Sequence, residues 1–438
     1  MLSKRIGVLL LAALLLAGLP APGRVWADAD AGSGSWPQFQ GDLYNDGLTT
    51  AAVPLSVPAT AWKQQAGNNT MSGIDAAPLV AGGSVFVLDT FGKLWAFDAG
   101  TGAQQWATQL SATRMKFQLA TPADDSGTLY AASNDGHVYA VDAASGNIKW
   151  DQALPLASSS SQLNTPVKVA DGKLYVGAWN PDATSDEYYY CLDAATGNPG
   201  IGGNYQVPNS ASPGGYYWAG ACIVGSDLIF GSDHSTLTCL DKDSGALRDR
   251  VGLTRIVPGA QAVRSSVSYD PSSSLVFLTD QATTAGSCWA FAFDPATGKL
   301  TNQWHTRLGF STSTPAVYGG RVYLGTGIYS IKGGLYCLDE ASGSVVWKFL
   351  PTSGGGAVSV PGVQASPVVA VQNGAPHIYF STICEHSTVY CLDQNGHQVW
   401  QFHDSDSTYA LQGVAVADGW LYFGNDGGWV YALRMAAG

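Results

Sequence analysis

The sequence predicts an all-β fold, an eight-bladed β-propeller of four-stranded antiparallel blades closed by a strand from near the N-terminus. Three observations carry this. The composition is rich in Gly (53), Trp (14), Tyr (20) and Phe (14), with only 12% charged residues among 438. Glycine serves turns and aromatics serve pleated surfaces, whereas helix-rich proteins carry far more Lys, Glu and Arg. One phrase recurs through the sequence, at a spacing that suits propeller blades. The last copy of that phrase ends at the C-terminus without the strand that should follow it.

The phrase is an alternating strand, then Ala or Cys, any residue, Asp, two residues, Gly and often Trp. It reads Ala96, Asp98, Gly102 and Trp106, and returns as Ala140, Asp142, Gly146 and Trp150. Later copies run through Cys191 and Asp193, Cys239 and Asp241, Ala292 and Asp294, Cys337 with Asp339, Gly343 and Trp347, and Cys391 and Asp393. A final copy ends at Arg434, so seven steps from Asp98 average 48 residues.

Each copy follows a second strand, such as Val85-Phe86-Val87 or Leu129-Tyr130-Ala131. Asn134-Asp135-Gly136 and Asn425-Asp426-Gly427 read as hairpin turns between the two. Small residue–Pro pairs, including Ala77-Pro78, Thr165-Pro166 and Thr314-Pro315, open the innermost strands, where proline is tolerated. The fourth strands carry Trp106, Trp150, Trp304, Trp347 and Trp400. Blade eight lacks a fourth strand, and Ala61-Trp62-Lys63-Gln64 is its expected donor. Closure of the ring would remove two exposed sheet edges. Ile201 and Asp249 fill the tryptophan slot in blades three and four, so docking there is expected to be looser, with Asp249 exposed and tolerant of substitution.

The first 27 residues have the form of an export signal. Lys4 and Arg5 precede an apolar run from Ile6 to Leu19, and Val25-Trp26-Ala27 offers a cleavage site. The run is short for a membrane span. Domains are therefore expected as signal 1–27, polar linker 28–34 and propeller 35–438, in a secreted, periplasmic or envelope setting with no membrane span after cleavage. Loss of three basic residues takes the net charge from −12 to −15. Such an acidic protein is poorly suited to nucleic acid. Seven cysteines remain, none adjacent and none in a C-x-x-C. An odd number cannot all pair internally; Cys222 with Cys239 is the favoured bridge, and the motif cysteines serve as small hydrophobes.

Ala96 to Trp106 matches Ala-x-Asp-x-x-Thr-Gly-x-x-x-Trp at every defined position. This resembles the tryptophan-docking motif of the quinoprotein propellers. Trp36-Pro37-Gln38-Phe39-Gln40-Gly41-Asp42, with Asn45 and Gly47, is similar to the opening segment of that superfamily. The resemblance implies a docking set of Trp62, Ala96, Gly102, Trp106, Ala140, Gly146, Trp150, Trp304, Cys337, Gly343, Trp347 and Trp400. Enzymes of the family carry pyrroloquinoline quinone and calcium beneath a vicinal Cys-Cys disulfide and above a Trp floor. The vicinal pair is absent here. The sequence resembles the family's non-catalytic outer-membrane barrel-assembly scaffold more than its alcohol dehydrogenases, although it lacks that scaffold's lipid-attachment Cys.

Recurring Asp residues suit turns rather than a single active centre. Cys384-Glu385-His386, Asp182 with Asp186 and Glu187, and Asp404 with Asp406 lack metal-site spacing. No catalytic, cofactor or metal residue is assigned. The residues ahead of the innermost strands converge on the ring axis, and they differ from blade to blade: Asp75, Gln118, Asn164, Trp218, Arg264, Ser313, Gln364 and Gln412. Converging, differing polar groups suit a ligand-binding channel mouth, against a merely water-filled tunnel. The loop Thr352 to Pro361 is the next candidate surface. The expected function is a non-catalytic extracytoplasmic scaffold that binds a protein or peptide partner. Its alternatives are a small-molecule or cofactor binder at the channel, or a quinone-dependent dehydrogenase.

Overall fold

The structure is a computed structural model and describes residues 34–67, 73–111, 119–182, 185–283, 285–352 and 360–435. The signal segment, the linker up to residue 33, Gln118 and the loop 353–359 lie outside these residues. No helix among the described residues is long and apolar enough to cross a membrane.

Eight blade sheets surround one axis, and a separate two-stranded sheet pairs Asp186–Glu187 with Ser212–Pro213. Blade one is Leu79–Ala81, Ser84–Leu88, Lys93–Asp98 and Gln104–Gln109, in sequential order from the axis outwards. Blades two and four to seven repeat this order, and in blade seven Leu48–Thr49 of the N-terminal segment adds a fifth, parallel strand inside Val368–Gln372. In blade eight, Pro58–Gln65 pairs antiparallel with Trp429–Met435, and Trp62 faces Ala432. The first and last parts of the propeller thus share one sheet. Blade three departs from the pattern. Its first three strands are regular, but isolated bridges at Leu192–Pro199 and Tyr190–Gln206 replace a fourth strand.

The recurring residues work at the blade interfaces. Trp106 lies opposite Ala96, and Trp347 opposite Cys337, in the registers of their own sheets. Each indole reaches into the next blade. Trp62, Trp106, Trp150, Trp304 and Trp347 donate N–H to the carbonyls of Ala99, Ala143, Ala194, Glu340 and Gln394 at 2.8–3.1 Å. Their rings cover Gly102, Gly146, Gly197, Gly343 and Gly396, where a Cβ would come within 2.5–2.9 Å of the ring. These glycines also have positive φ, so both space and backbone exclude a side chain. Asp98 shapes the turn by accepting the N–H (2.8 Å) and hydroxyl (2.7 Å) of Thr101, bonds that hold its carboxyl below the usual range.

The exceptions are filled by other chemistry. Pro208 covers Gly245, and the aliphatic part of Arg248 covers Gly298. Asp249, expected to be exposed, is 12% accessible; it accepts the N–H of Leu300 (2.9 Å) and pairs with Lys299 (3.2 Å) in blade five. Blade eight has no motif glycine, and Trp400 donates instead to the carbonyl of Pro54 (2.9 Å) in the N-terminal segment.

All seven cysteines are free and buried. The favoured Cys222–Cys239 bridge does not form, because both pair with Ile229 from opposite sides, leaving one strand between them. Burial raises the thiols of Cys191, Cys337 and Cys391 to about 12, as expected of inert packing residues.

The segment before the first blade forms a belt along the innermost strands. Its carbonyls accept backbone N–H groups from seven blades: Trp36 from Val80, Pro37 from Asp124, Leu43 from Ile223, Tyr44 from Tyr269, Asp46 from Val317, Gly47 from Val369 and Ala52 from Gly419, at 2.7–3.0 Å. Blade three joins through the Lys168 ammonium, which donates to the carbonyls of Phe39 (3.0 Å) and Asp42 (2.6 Å). Innermost strands would otherwise leave their edges unpaired beside a buried axis, which is costly. Asn45 at φ +56° bends the belt and donates to the carbonyls of Ala221 (2.9 Å) and Val267 (2.8 Å).

Candidate functional site

The belt occupies the axis on one side, and on the other the channel opens into a depression of about 440 Å³. A cavity of about 20 Å³ lies behind the depression, with Phe39 of the belt in its wall. That is room for about one water. Its other walls include Ser266, Thr314 and Ser366. These hydroxyls join neighbouring blades: Gly220 N–H donates to Ser266, Ser266 N–H to Thr314 and Thr314 N–H to Ser366, at 3.0–3.1 Å.

The depression is mainly apolar and aromatic. Tyr217, Trp218, Phe310, Ile328, Tyr329, Ile383, Tyr409 and Leu411 line it, with Arg264, Gln281, Gln364 and Asp426 as its polar members. Trp218 stacks on Tyr217 (centroids 4.2 Å apart, planes at 27°), and the Arg264 guanidinium lies 4.6 Å from the Tyr217 ring centre. Arg264 is held by Asp233 through two contacts, at 3.2 and 2.9 Å, and Asp233 also accepts the Trp179 indole N–H at 3.0 Å. Arg264, expected at the channel mouth, is therefore already neutralised. Trp218 has φ +63°, a conformation that bulky residues rarely adopt.

Asp426, in the Asn425-Asp426-Gly427 turn, faces the buried Asp75. Burial and the Asp426 charge push the Asp75 carboxyl far above its ordinary range, and burial also raises Asp426. Like charges so placed cannot both ionise cheaply.

The eight residues singled out ahead of the innermost strands have different fates. Trp218, Arg264 and Gln364 line the depression, and Gln412 lines the small cavity behind it. Asp75 meets the depression through Asp426. Asn164 is fully buried and lines neither space; both its amide atoms lack a partner. Ser313 is also buried, donating to the carbonyl of Ala365 (3.0 Å) and accepting the N–H of Gly325 (3.0 Å). Gln118 is outside the described residues.

Sequence reasoning missed most of the wall. Gln281, Ile328, Tyr329 and Ile383 sit between the second and third strands of blades five, six and seven. In blade two those strands are joined by a short turn, but here the connections are 280–286, 326–334 and 382–388. Such insertions in a repeat gather on one face, and their length was the readable signal.

The acidic clusters have structural partners. Asp404 and Asp406 clasp Lys63, and Glu187 is buried, accepting the N–H of Ala157 at 3.1 Å. No group of three His, Cys, Asp or Glu able to hold a metal occurs among the described residues.

The family model described as outer membrane protein assembly factor BamB matches residues 56–251 and 286–438. The protein belongs to that family. Solved structures with the same fold include BamB from Moraxella catarrhalis, at 15% identity and TM-score 0.59, covering 86% of this chain and 100% of that one. The quinohemoprotein alcohol dehydrogenase ADHIIG from Pseudomonas putida HK5 is 13% identical with TM-score 0.67, covering 94% of this chain and 81% of that one. The computationally designed Ika8 protein is 13% identical with TM-score 0.56, covering 85% of this chain and 100% of that one. At such identities these likenesses concern the fold. No curated protein sequence matches this one. BamB-family membership and the eight-blade ring agree with the docking motif, and the fold is shared by BamB and by a quinohemoprotein alcohol dehydrogenase.

Proposed function

We propose that this protein is a non-catalytic, exported propeller that binds a partner protein of the cell envelope through the open mouth of its channel. The observation that carries this is the aromatic and apolar depression at the mouth, opposite an end occupied by the belt. Concave apolar surfaces with few polar groups suit recognition. The name of the matching family supports a role in assembly of outer-membrane proteins. The test is affinity capture from envelope extract with the mature protein and with Tyr329→Ser and Ile328→Ser. Tyr329 is 60% exposed, so its loss should leave folding intact. Capture that is unchanged in both variants would remove the mouth as the site. Export itself is tested by finding a mature protein that begins at Asp28.

A quinone-dependent dehydrogenase is the second reading, favoured by the flat Tyr217–Trp218 stack at the mouth of a shared fold. The charge at the mouth does not fit the cofactor. Pyrroloquinoline quinone is a tricarboxylate, while Arg264, the cation in the depression's lining, is already paired with Asp233. Appearance of a quinone absorption band after incubation with the cofactor and calcium would restore the enzyme reading.

A further inference from the structure

Two atoms on the wall of the depression lack partners. The Trp218 indole N–H is buried and has no acceptor; the Gln281 amide oxygen is buried and has no donor. Both residues line the depression. Buried polar groups are nearly always paired, so an orphaned donor and an orphaned acceptor on one wall point to something that pairs them. The Trp218 ring is held in place. Trp218 is fixed by its stack on Tyr217, which carries Arg264, which Asp233 clamps. The Gln281 backbone is tied by its N–H to the Ala262 carbonyl at 2.9 Å. A neutral donor and a neutral acceptor lining one mainly apolar depression complement a group with one C=O and one N–H. That group is a secondary amide, the repeating unit of a peptide. Charge complementarity narrows the choice. An anionic group would face Asp426 and find Arg264 already paired.

We propose that the mouth reads a peptide backbone: an extended, uncharged segment of the partner places an aromatic or aliphatic side chain in the depression, while its backbone carbonyl accepts from Trp218 and that residue's own N–H donates to Gln281. This rests on the mouth being the binding site. It adds which chemistry is recognised: the sequence can vary so long as the segment is apolar and uncharged and has an amide at that point. Backbone recognition of this kind gives affinity without strict sequence demand.

The test uses the mature protein and the probe acetyl-Ser-Val-Phe-Val-Ser-amide, with binding followed by calorimetry. Comparison probes carry Lys or Glu in place of Phe, or an N-methyl group on the Phe nitrogen. The Phe probe should bind, and N-methylation should weaken it about tenfold, the usual consequence of losing one buried hydrogen bond. Trp218→Phe and Gln281→Leu should each weaken it by about five- to tenfold, with an unchanged melting temperature. Gln281→Leu and the N-methyl probe keep the test valid if Trp218→Phe fails to fold. Three results would overturn the proposal: no binding of the Phe probe, equal binding of the N-methyl probe, or tighter binding of the Lys probe. The last would make the Asp75–Asp426 pair a cation site instead. If one of these occurs while Tyr329→Ser still abolishes partner capture, only the amide chemistry fails. If capture is also indifferent to Tyr329, the mouth reading itself fails.

Discussion

Trp106 docks on Gly146: its indole N–H reaches the Ala143 carbonyl at 3.0 Å, and a Cβ on Gly146 would lie 2.6 Å from its ring. This contact joins blade one to blade two, and Trp62, Trp150, Trp304 and Trp347 repeat it at other joints. The sites are not equally buried. Trp106 and Trp150 are half-buried, whereas Trp400 is 1% exposed. Trp400→Ala should therefore cost about 3–5 kcal/mol, the usual range for a buried aromatic. Trp106→Ala should cost less, about 1–3 kcal/mol, since less area is lost. Denaturant melts of the two variants check the order; a larger loss at Trp106 would contradict it.

Asp249 takes part in an interblade contact of its own. Asp249→Ala would leave the Leu300 N–H without its acceptor and should cost about 1 kcal/mol. Asp249→Asn keeps an acceptor oxygen and should recover most of it. A melt in which Ala and Asn behave alike would mean that this hydrogen bond contributes nothing.

The belt and the closing strand are one continuous stretch of polypeptide. Removing residues 28–66 takes away the fourth strand of blade eight and the belt's contacts to every blade. The deletion should aggregate or lose its cooperative transition, which circular dichroism on heating would reveal. Asn45→Ala is the gentler probe. It strands two buried carbonyls, Ala221 and Val267, and should cost about 2 kcal/mol.

Glu340 gives a pH dependence. Burial, with the nearby Asp270 charge, pushes its carboxyl up to about 7, and one of its oxygens has no hydrogen-bond partner. The folded state thus resists an ionisation that the unfolded polypeptide undergoes near its ordinary value. This stability is fully present below about pH 4.5 and is lost as pH rises towards 7. Glu340→Gln should leave stability unchanged at about pH 4.5 and raise it by on the order of 1–2 kcal/mol at about pH 8. Equal stabilities at the higher pH would show that Glu340 ionises freely.

The repeat was legible because its residues act locally: Ala96, Asp98, Gly102 and Trp106 occupy fixed places in one hairpin and its turn. Spacing alone revealed eight second strands, eight third strands and the missing strand that Trp62 supplies. Substitutes were less legible, because Pro208 and Arg248 take the place of tryptophan with unrelated chemistry. The bridge between Cys222 and Cys239 also looked open in sequence, yet one intervening strand forbids it.

The mouth depended most on tertiary structure. Repeat position was enough to show which residues head for the axis, and Trp218, Arg264 and Gln364 do line the depression. It could not show that Asp233, from a turn of the preceding blade, would neutralise Arg264, or that Asn164 and Ser313 would be sealed into the wall. Nor could it show that the opening segment would run past all eight blades and seal one end of the axis. Side-chain period and turn chemistry are encoded within a few residues. A channel wall is assembled from loops far apart in sequence, whose lengths and directions meet only once the ring has closed.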